Sequence, residues 1–148
     1  MRSYYSAVIG APAERVWATV RDFNGLATWF SPAVSASEIE DGRAGDQVGA
    51  VRRFLLGDTT VRETLLAHSD VERRYDYEFA PPAPFPVTGY VSTLRVTPVT
   101  EGDIAFLEWW ADFDCAVAEQ EHWKAFFAAE VFKPAVDALK DHLGVQLY

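Results

Sequence analysis

The sequence is poor in cysteine and in positive charge. Its single cysteine, Cys115, excludes an internal disulfide framework and any zinc site built from several thiolates. A chain without disulfides suits the cytosol but is not barred from other compartments. Thirteen Lys and Arg stand against 22 Asp and Glu, leaving a net charge of −9. That deficit argues against a nucleic-acid partner, because duplex binding works by counterion release at clustered basic groups. It argues equally against docking on an anionic leaflet. No run approaches about 18 apolar residues, so no membrane insertion is expected. The opening Met1-Arg2-Ser3-Tyr4-Tyr5 lacks the apolar run and small-residue cleavage site of a secretory signal, and a cytoplasmic location is the expectation. Glycine-rich phosphate loops and dinucleotide fingerprints are missing too, so no cofactor is expected.

What the chain has in excess is aromatic residues: 5 Trp, 6 Tyr and 10 Phe, or 14% of 148 residues. With 49% hydrophobic and 24% charged residues, the composition is that of a globular protein. The length fits one domain, 1–148, and no repeat or linker divides it.

Turn residues and periodicity give the element order. Residues 3–9 read as a strand, rich in aromatic and β-branched side chains. Pro12 opens a helical pattern whose apolar stripe is Val16, Trp17 and Val20, and Asn24-Gly25 ends it. A short aromatic segment, Leu26 to Phe30, follows. Six alternating segments come next: 33–40, 48–56, 59–68, 73–79, 89–98 and 103–113. Asp41-Gly42 and Gly57-Asp58 between them are hairpin signals, and the short links imply an antiparallel meander. From about Glu119 the period becomes helical, with Trp123, Phe127, Val131, Ala135 and Leu139 stepping by four. Pro134 should bend this helix and Gly144 should stop it. The expected fold is α+β: a curved seven-stranded antiparallel sheet wrapped around a long C-terminal helix, with two short helices after the first strand. The alternative is a flatter sandwich without a cavity.

In this order the residues resemble the helix-grip superfamily, START/Bet v 1-like, and within it the polyketide cyclase/dehydrase-like bacterial members. The opening Ile9-Gly10-Ala11-Pro12-Ala13-Glu14-Arg15-Val16-Trp17 looks like the family's strand, A-P-x-x-V-W, helix entry. Asp22-Phe23-Asn24-Gly25-Leu26-Ala27-Thr28-Trp29 is similar to its second-helix segment. Val48-Gly49-Ala50-Val51-Arg52, Val61 to Leu66, Tyr90 to Val96 and Glu108 to Phe113 resemble its strands. The resemblance covers nearly the whole chain. It implies a cavity between sheet and helix, and members that are cyclases, lipid carriers, hormone receptors or co-chaperones, so it leaves function open.

The two-residue period of a strand assigns faces. Leu107, Trp109, Ala111 and Phe113 form an uncharged, inward set, which leaves Trp110 outside and calls for a covering contact, such as a homodimer. Tyr90, Ser92, Leu94 and Val96 point inward, as do Tyr75, Tyr77 and Phe79. Val61, Glu63, Leu65 and Ala67 share one face, which puts a carboxylate among apolar side chains. Arg52 shares a face with Val48, Ala50, Phe54 and Leu56 on the neighbouring strand. Arg52 and Glu63 therefore either pair inside, form the polar end of an aromatic pocket, or sit in solvent after a register shift. Trp29, Phe30, Trp109, Trp123 and Phe127 would supply an apolar wall, with Phe54, Leu65 and Tyr75 beside them. The proline-rich Ala80-Pro81-Pro82-Ala83-Pro84-Phe85-Pro86 reads as a stiff loop at the pocket mouth, with residues 57–60 as a second rim loop.

Two kinds of chemistry lack support. Cys115 lies beside Asp114, but His68, His122 and His142 fall at a strand end and on the last helix, and Glu119-x-x-His122 occurs once, so neither a nucleophilic triad nor a metal site is expected. A desolvated Glu63 would have a raised pKa and act as general acid or base, with Arg52, Tyr77 or Tyr90 stabilising an enolate oxygen. The family resemblance makes that chemistry polyketide cyclisation or dehydration. The competing reading is a carrier or sensor that binds a hydrophobic, aromatic or polyketide- or lipid-like small molecule unchanged. A third is a co-chaperone-like interaction module using the Trp110 face.

Overall fold

Short links between strands of alternating character dictate the architecture. The computed structural model describes residues 1–145, so the last three positions of the expected 1–148 domain lie outside the described residues. The strands are β1 (Arg2–Ile9), β2 (Val34–Ile39), β3 (Val51–Leu56), β4 (Thr59–Ser69), β5 (Arg74–Phe79), β6 (Thr88–Val99) and β7 (Ile104–Asp114). They form one antiparallel sheet in the order β1-β7-β6-β5-β4-β3-β2. Helices α1 (Ala13–Val20) and α2 (Leu26–Trp29) follow β1. A helical rod closes the chain: a 3₁₀ turn at Val117–Glu119, α3 (Gln120–Phe126), a π-helical stretch at Phe127–Phe132 and α4 (Lys133–Leu143). This is the helix-grip α+β fold. No helix among the described residues is long and apolar enough to cross a membrane.

Local chemistry explains the joints. Pro12 precedes α1 and its carbonyl accepts the Val16 amide at 3.1 Å. Gly57 takes φ 60°, which costs glycine little, and lets two residues link Leu56 to its partner Thr59. Gly144 ends α4 in the left-handed region, and Arg15 Nη2 donates to the Leu143 carbonyl at 2.7 Å, tying that end to α1.

Four expectations need correction. Asp41-Gly42 does not make a tight hairpin: it belongs to a 3₁₀ turn, Glu40–Gly42, and residues 43–50 then lead to β3. Val48 lies in that connection, 54% exposed, because the strand starts only at Val51. Ala67 turns outward because β4 carries a bulge between Leu65 and Ala67, opposite Tyr77 and Asp76. Beyond the bulge the faces exchange, and the His68 ring lies over Tyr75 at 6.2 Å. Trp110 is outward but half-buried, with Arg2 and Arg95 each 5.2 Å from its ring centre and Tyr4 stacked at 6.3 Å. Its own chain covers part of it.

The helix irregularity lies on the N-terminal side of Pro134. That proline offers no amide to the preceding turn, and the π-helical Phe127–Phe132 runs up to its position at the start of α4.

Candidate functional site

Between the sheet and the helical rod lies a cavity of about 40 Å³. At roughly 10–15 Å³ per water, that space holds about three waters. Its walls come from every layer: Leu26 and Phe30 after α1, Val34 on β2, and Phe127 and Val131 on the π-helical stretch. The sheet contributes Arg52, Phe54 and Leu56 from β3, Val61 and Glu63 from β4, and Tyr77 and Phe79 from β5. Tyr90, Trp109 and Phe85 complete it, the last from the proline-rich loop.

The polar end is an ion pair across neighbouring strands. Arg52 and Glu63 are register partners in the β3–β4 ladder, so both side chains leave the sheet on the same face. Arg52 is 1% exposed and Glu63 5%. Arg52 Nε donates to Glu63 Oε1 at 2.8 Å, and its Nη2 lies 2.8 Å from the same oxygen. Arg52 Nη1 donates to the Phe23 carbonyl at 3.1 Å. The guanidinium carbon sits 3.9 Å from the centre of the Phe23 ring and 4.8 Å from that of Tyr77. Glu63 Oε2 accepts no hydrogen bond from the described residues, and Glu63 borders the cavity.

Burial and pairing pull on these groups in opposite directions. Burial pushes the Glu63 carboxyl up, and the Arg52 charge only partly offsets that. Burial also works against the Arg52 charge, but the Glu63 carboxylate beside it holds its pKa above the ordinary value. Tyr75, Tyr77 and Tyr90 are all raised, chiefly by desolvation, so their phenols stay protonated. Tyr77 accepts a hydrogen bond from Trp109 Nε1 at 3.0 Å, which fixes both rings.

Eight of the residues singled out from sequence meet at the cavity: Arg52, Glu63, Tyr77 and Tyr90 with Phe30, Phe54, Trp109 and Phe127. Four do not border it. Tyr75 packs toward α1, 6.1 Å from Trp17 and 5.7 Å from Phe23. Leu65 is fully buried in the core. Trp29 backs the wall, stacked on Phe30 at 6.2 Å and 6.3 Å from Trp109. Trp123 stands behind Phe85 and Phe127, at 5.6 and 5.9 Å. The indole donors of Trp29 and Trp123 are both buried with no hydrogen-bond partner among the described residues.

Sequence reasoning missed Leu26, Val34 and Val131 as lining residues. Phe85 was detectable as the one large apolar side chain in the proline-rich loop. It packs edge-on against Phe126 and Phe127 at 5.2 and 5.6 Å and covers one side of the cavity. Three or more potential metal ligands gather nowhere among the described residues.

The fold has known counterparts. A search of the curated proteins found no match. Among solved structures, XoxI of Bacillus cereus is 30% identical over 95% of this chain and 94% of its own, with a TM-score of 0.81. A Thermobifida fusca protein is 28% identical over 97% and 93% of the two chains, with a TM-score of 0.85. A Thalictrum norcoclaurine synthase mutant, solved with a transition-state analogue, is similar in fold alone, with 14% identity over 97% and 93% and a TM-score of 0.76. The family model described as polyketide cyclase/dehydrase and lipid transport matches residues 2–144. The chain therefore belongs to that family, within the START/Bet v 1-like superfamily, and has its ligand-binding fold.

Proposed function

We propose that this protein binds a hydrophobic small molecule, aromatic or polyketide- or lipid-like, in the cavity between the sheet and the C-terminal helix. One observation carries the reading: a buried ion pair with an unpartnered carboxylate oxygen closes one end of an otherwise apolar, aromatic space. A protein that needed only a core would fill that space with side chains, since a buried pair is weak evidence of stability. The cavity of about 40 Å³ is far below the roughly 150 Å³ that accommodates a benzene. Entry therefore requires a wall to move, and Phe85, on a loop tied down by four prolines among residues 81–86, is the gate. Native mass spectrometry of protein purified from its source tests this, and a bound molecule of defined mass is expected. A chain carrying only its own mass, together with no uptake of any apolar probe, would refute the reading.

A catalytic reading draws on the same residues. A carboxyl raised by burial, with one oxygen free beside an arginine, has the properties of a general acid or base for cyclisation or dehydration. Its test is turnover: Glu63→Gln should abolish conversion of a genuine substrate even at concentrations that saturate the variant's site. The interaction-module reading has less to draw on at Trp110, because Arg2, Arg95 and Tyr4 of the same chain pack against it and leave it half-buried.

A further inference from the structure

At the polar end of the cavity the positive charge is already committed. Arg52 directs Nε and Nη2 to one oxygen of Glu63 and Nη1 to the Phe23 carbonyl, and the Phe23 and Tyr77 rings lie against the guanidinium. Arg52 is the one cation among the residues that border the cavity. The charged group that remains available is an acceptor, Glu63 Oε2, which takes no hydrogen bond within the described chain, beside the uncharged hydroxyls of Tyr77 and Tyr90. The surface adds no attraction for anions, since the whole chain carries a net charge of −9.

We infer that the cavity selects a neutral apolar ligand bearing a hydrogen-bond donor, a phenol or alcohol, and rejects carboxylates such as free fatty acids. The inference rests on the pocket-binding reading above and names the ligand class for that site. A hydroxyl aimed at Oε2 makes a charge-assisted hydrogen bond, stronger than a neutral one and at its strongest where water is excluded. A carboxylate in the same place meets a second carboxylate across an apolar enclosure, where repulsion is weakly screened. Selection thus comes from one attractive and one repulsive element built from the same side chain. The neutral hydroxyls of Tyr77 and Tyr90 can donate to a carboxylate as well as to an uncharged oxygen, but they carry no charge to offset the repulsion from Glu63.

The test uses two bicyclic probes that differ only at the polar group, 2-naphthol and 2-naphthoate. Each is titrated calorimetrically at pH 7.5 into the full chain and into Phe85→Ala, in which the gate ring is gone. Naphthol is expected to bind at least about tenfold more tightly than naphthoate in whichever chain admits it. Glu63→Gln leaves the Arg52 charge unbalanced, so the preference is expected to reverse in favour of naphthoate. Should that variant fail to fold, the comparison in the other two chains still decides. Equal or tighter binding of naphthoate by the native site would overturn the inference while leaving the pocket reading intact. Binding of neither probe by either chain would overturn both.

Discussion

Replacing Arg52 by Met separates the energetic role of the ion pair from everything else in the cavity. In the native chain both charges are removed from water, at 1% and 5% residual exposure, and joined through Glu63 Oε1 at 2.8 Å. Methionine is apolar and of similar length, so the substitution deletes the cation and leaves Glu63 buried without its partner. Such half-broken buried pairs cost about 3–5 kcal/mol. Against a typical domain stability of about 5–15 kcal/mol, the variant should still fold. With a urea slope of about 2 kcal/mol per M, the midpoint should fall by about 2 M, read by tryptophan fluorescence. The sign of the pH dependence is fixed as well. Arg52 is the influence that lowers the Glu63 pKa, so its loss leaves desolvation unopposed and raises that pKa further. The folded chain then binds the proton more tightly than the unfolded one, and stability rises as pH falls. The deficit of Arg52→Met should thus be larger at pH 8 than at pH 5. Adding Glu63→Leu removes the stranded charge and should restore stability to within about 1 kcal/mol of the native chain or beyond it. A single variant within about 1 kcal/mol of native at pH 8, or a double variant no better than the single, would refute the reasoning.

The other predictions concern the supports of the site and the surface. Phe85→Ala should speed association of 2-naphthol in stopped-flow measurements while costing no more than about 2 kcal/mol in urea unfolding, because Phe85 is only partly buried. Gly45→Ala should destabilise by about 1–2 kcal/mol, since its Cβ would lie 1.9 Å from Asp22 Oδ1, itself bonded to the Asn24 amide. Asp70 is held at about 2, below the ordinary 3.8, by hydrogen bonds from Arg21 and Trp17. A depressed carboxyl stabilises above its unfolded value and loses that contribution as pH falls through the folded one. The stability gap between the native chain and Asp70→Asn should therefore close between about pH 4 and pH 2.

How much of this was legible in the sequence depends on the length scale of the signal. Alternation assigned the faces of Tyr75, Tyr77, Tyr90 and Trp109 correctly, because one residue per pleat decides in from out. It also placed Arg52 and Glu63 on one side of neighbouring strands. Where a strand departs from period two, the same rule fails from that point onward, as it does after the bulge between Leu65 and Ala67. Face alone does not say where along a strand the empty space lies. Tyr75 and Tyr77 share a face, yet Tyr77 borders the cavity and Tyr75 packs against Trp17 and Phe23. Walls built from different elements are harder still. Leu26, Val34 and Val131 lie far apart in sequence, and only the closing of the sheet over the helix brings them to one space.

The ion pair is also joined to the backbone that shapes the cavity. Phe23 presents its carbonyl to Arg52 Nη1, while its amide donates to the Gly45 carbonyl at 2.9 Å. The segment between α1 and α2 is thereby fixed on one side to the β2–β3 connection and on the other to a charge on β3. That arrangement gives the arginine two tasks that a lysine would perform poorly. Its planar fork addresses a carboxylate and a carbonyl at once, and its flat face lies 3.9 Å from the Phe23 ring centre. Arg52→Lys would keep the charge but not both contacts. Loosening at Phe23, and not only at Glu63, should therefore accompany it, seen as faster amide exchange at Phe23 than in the native chain. Unchanged protection there would mean that the pair is a local contact and that the walls of the cavity stand without it.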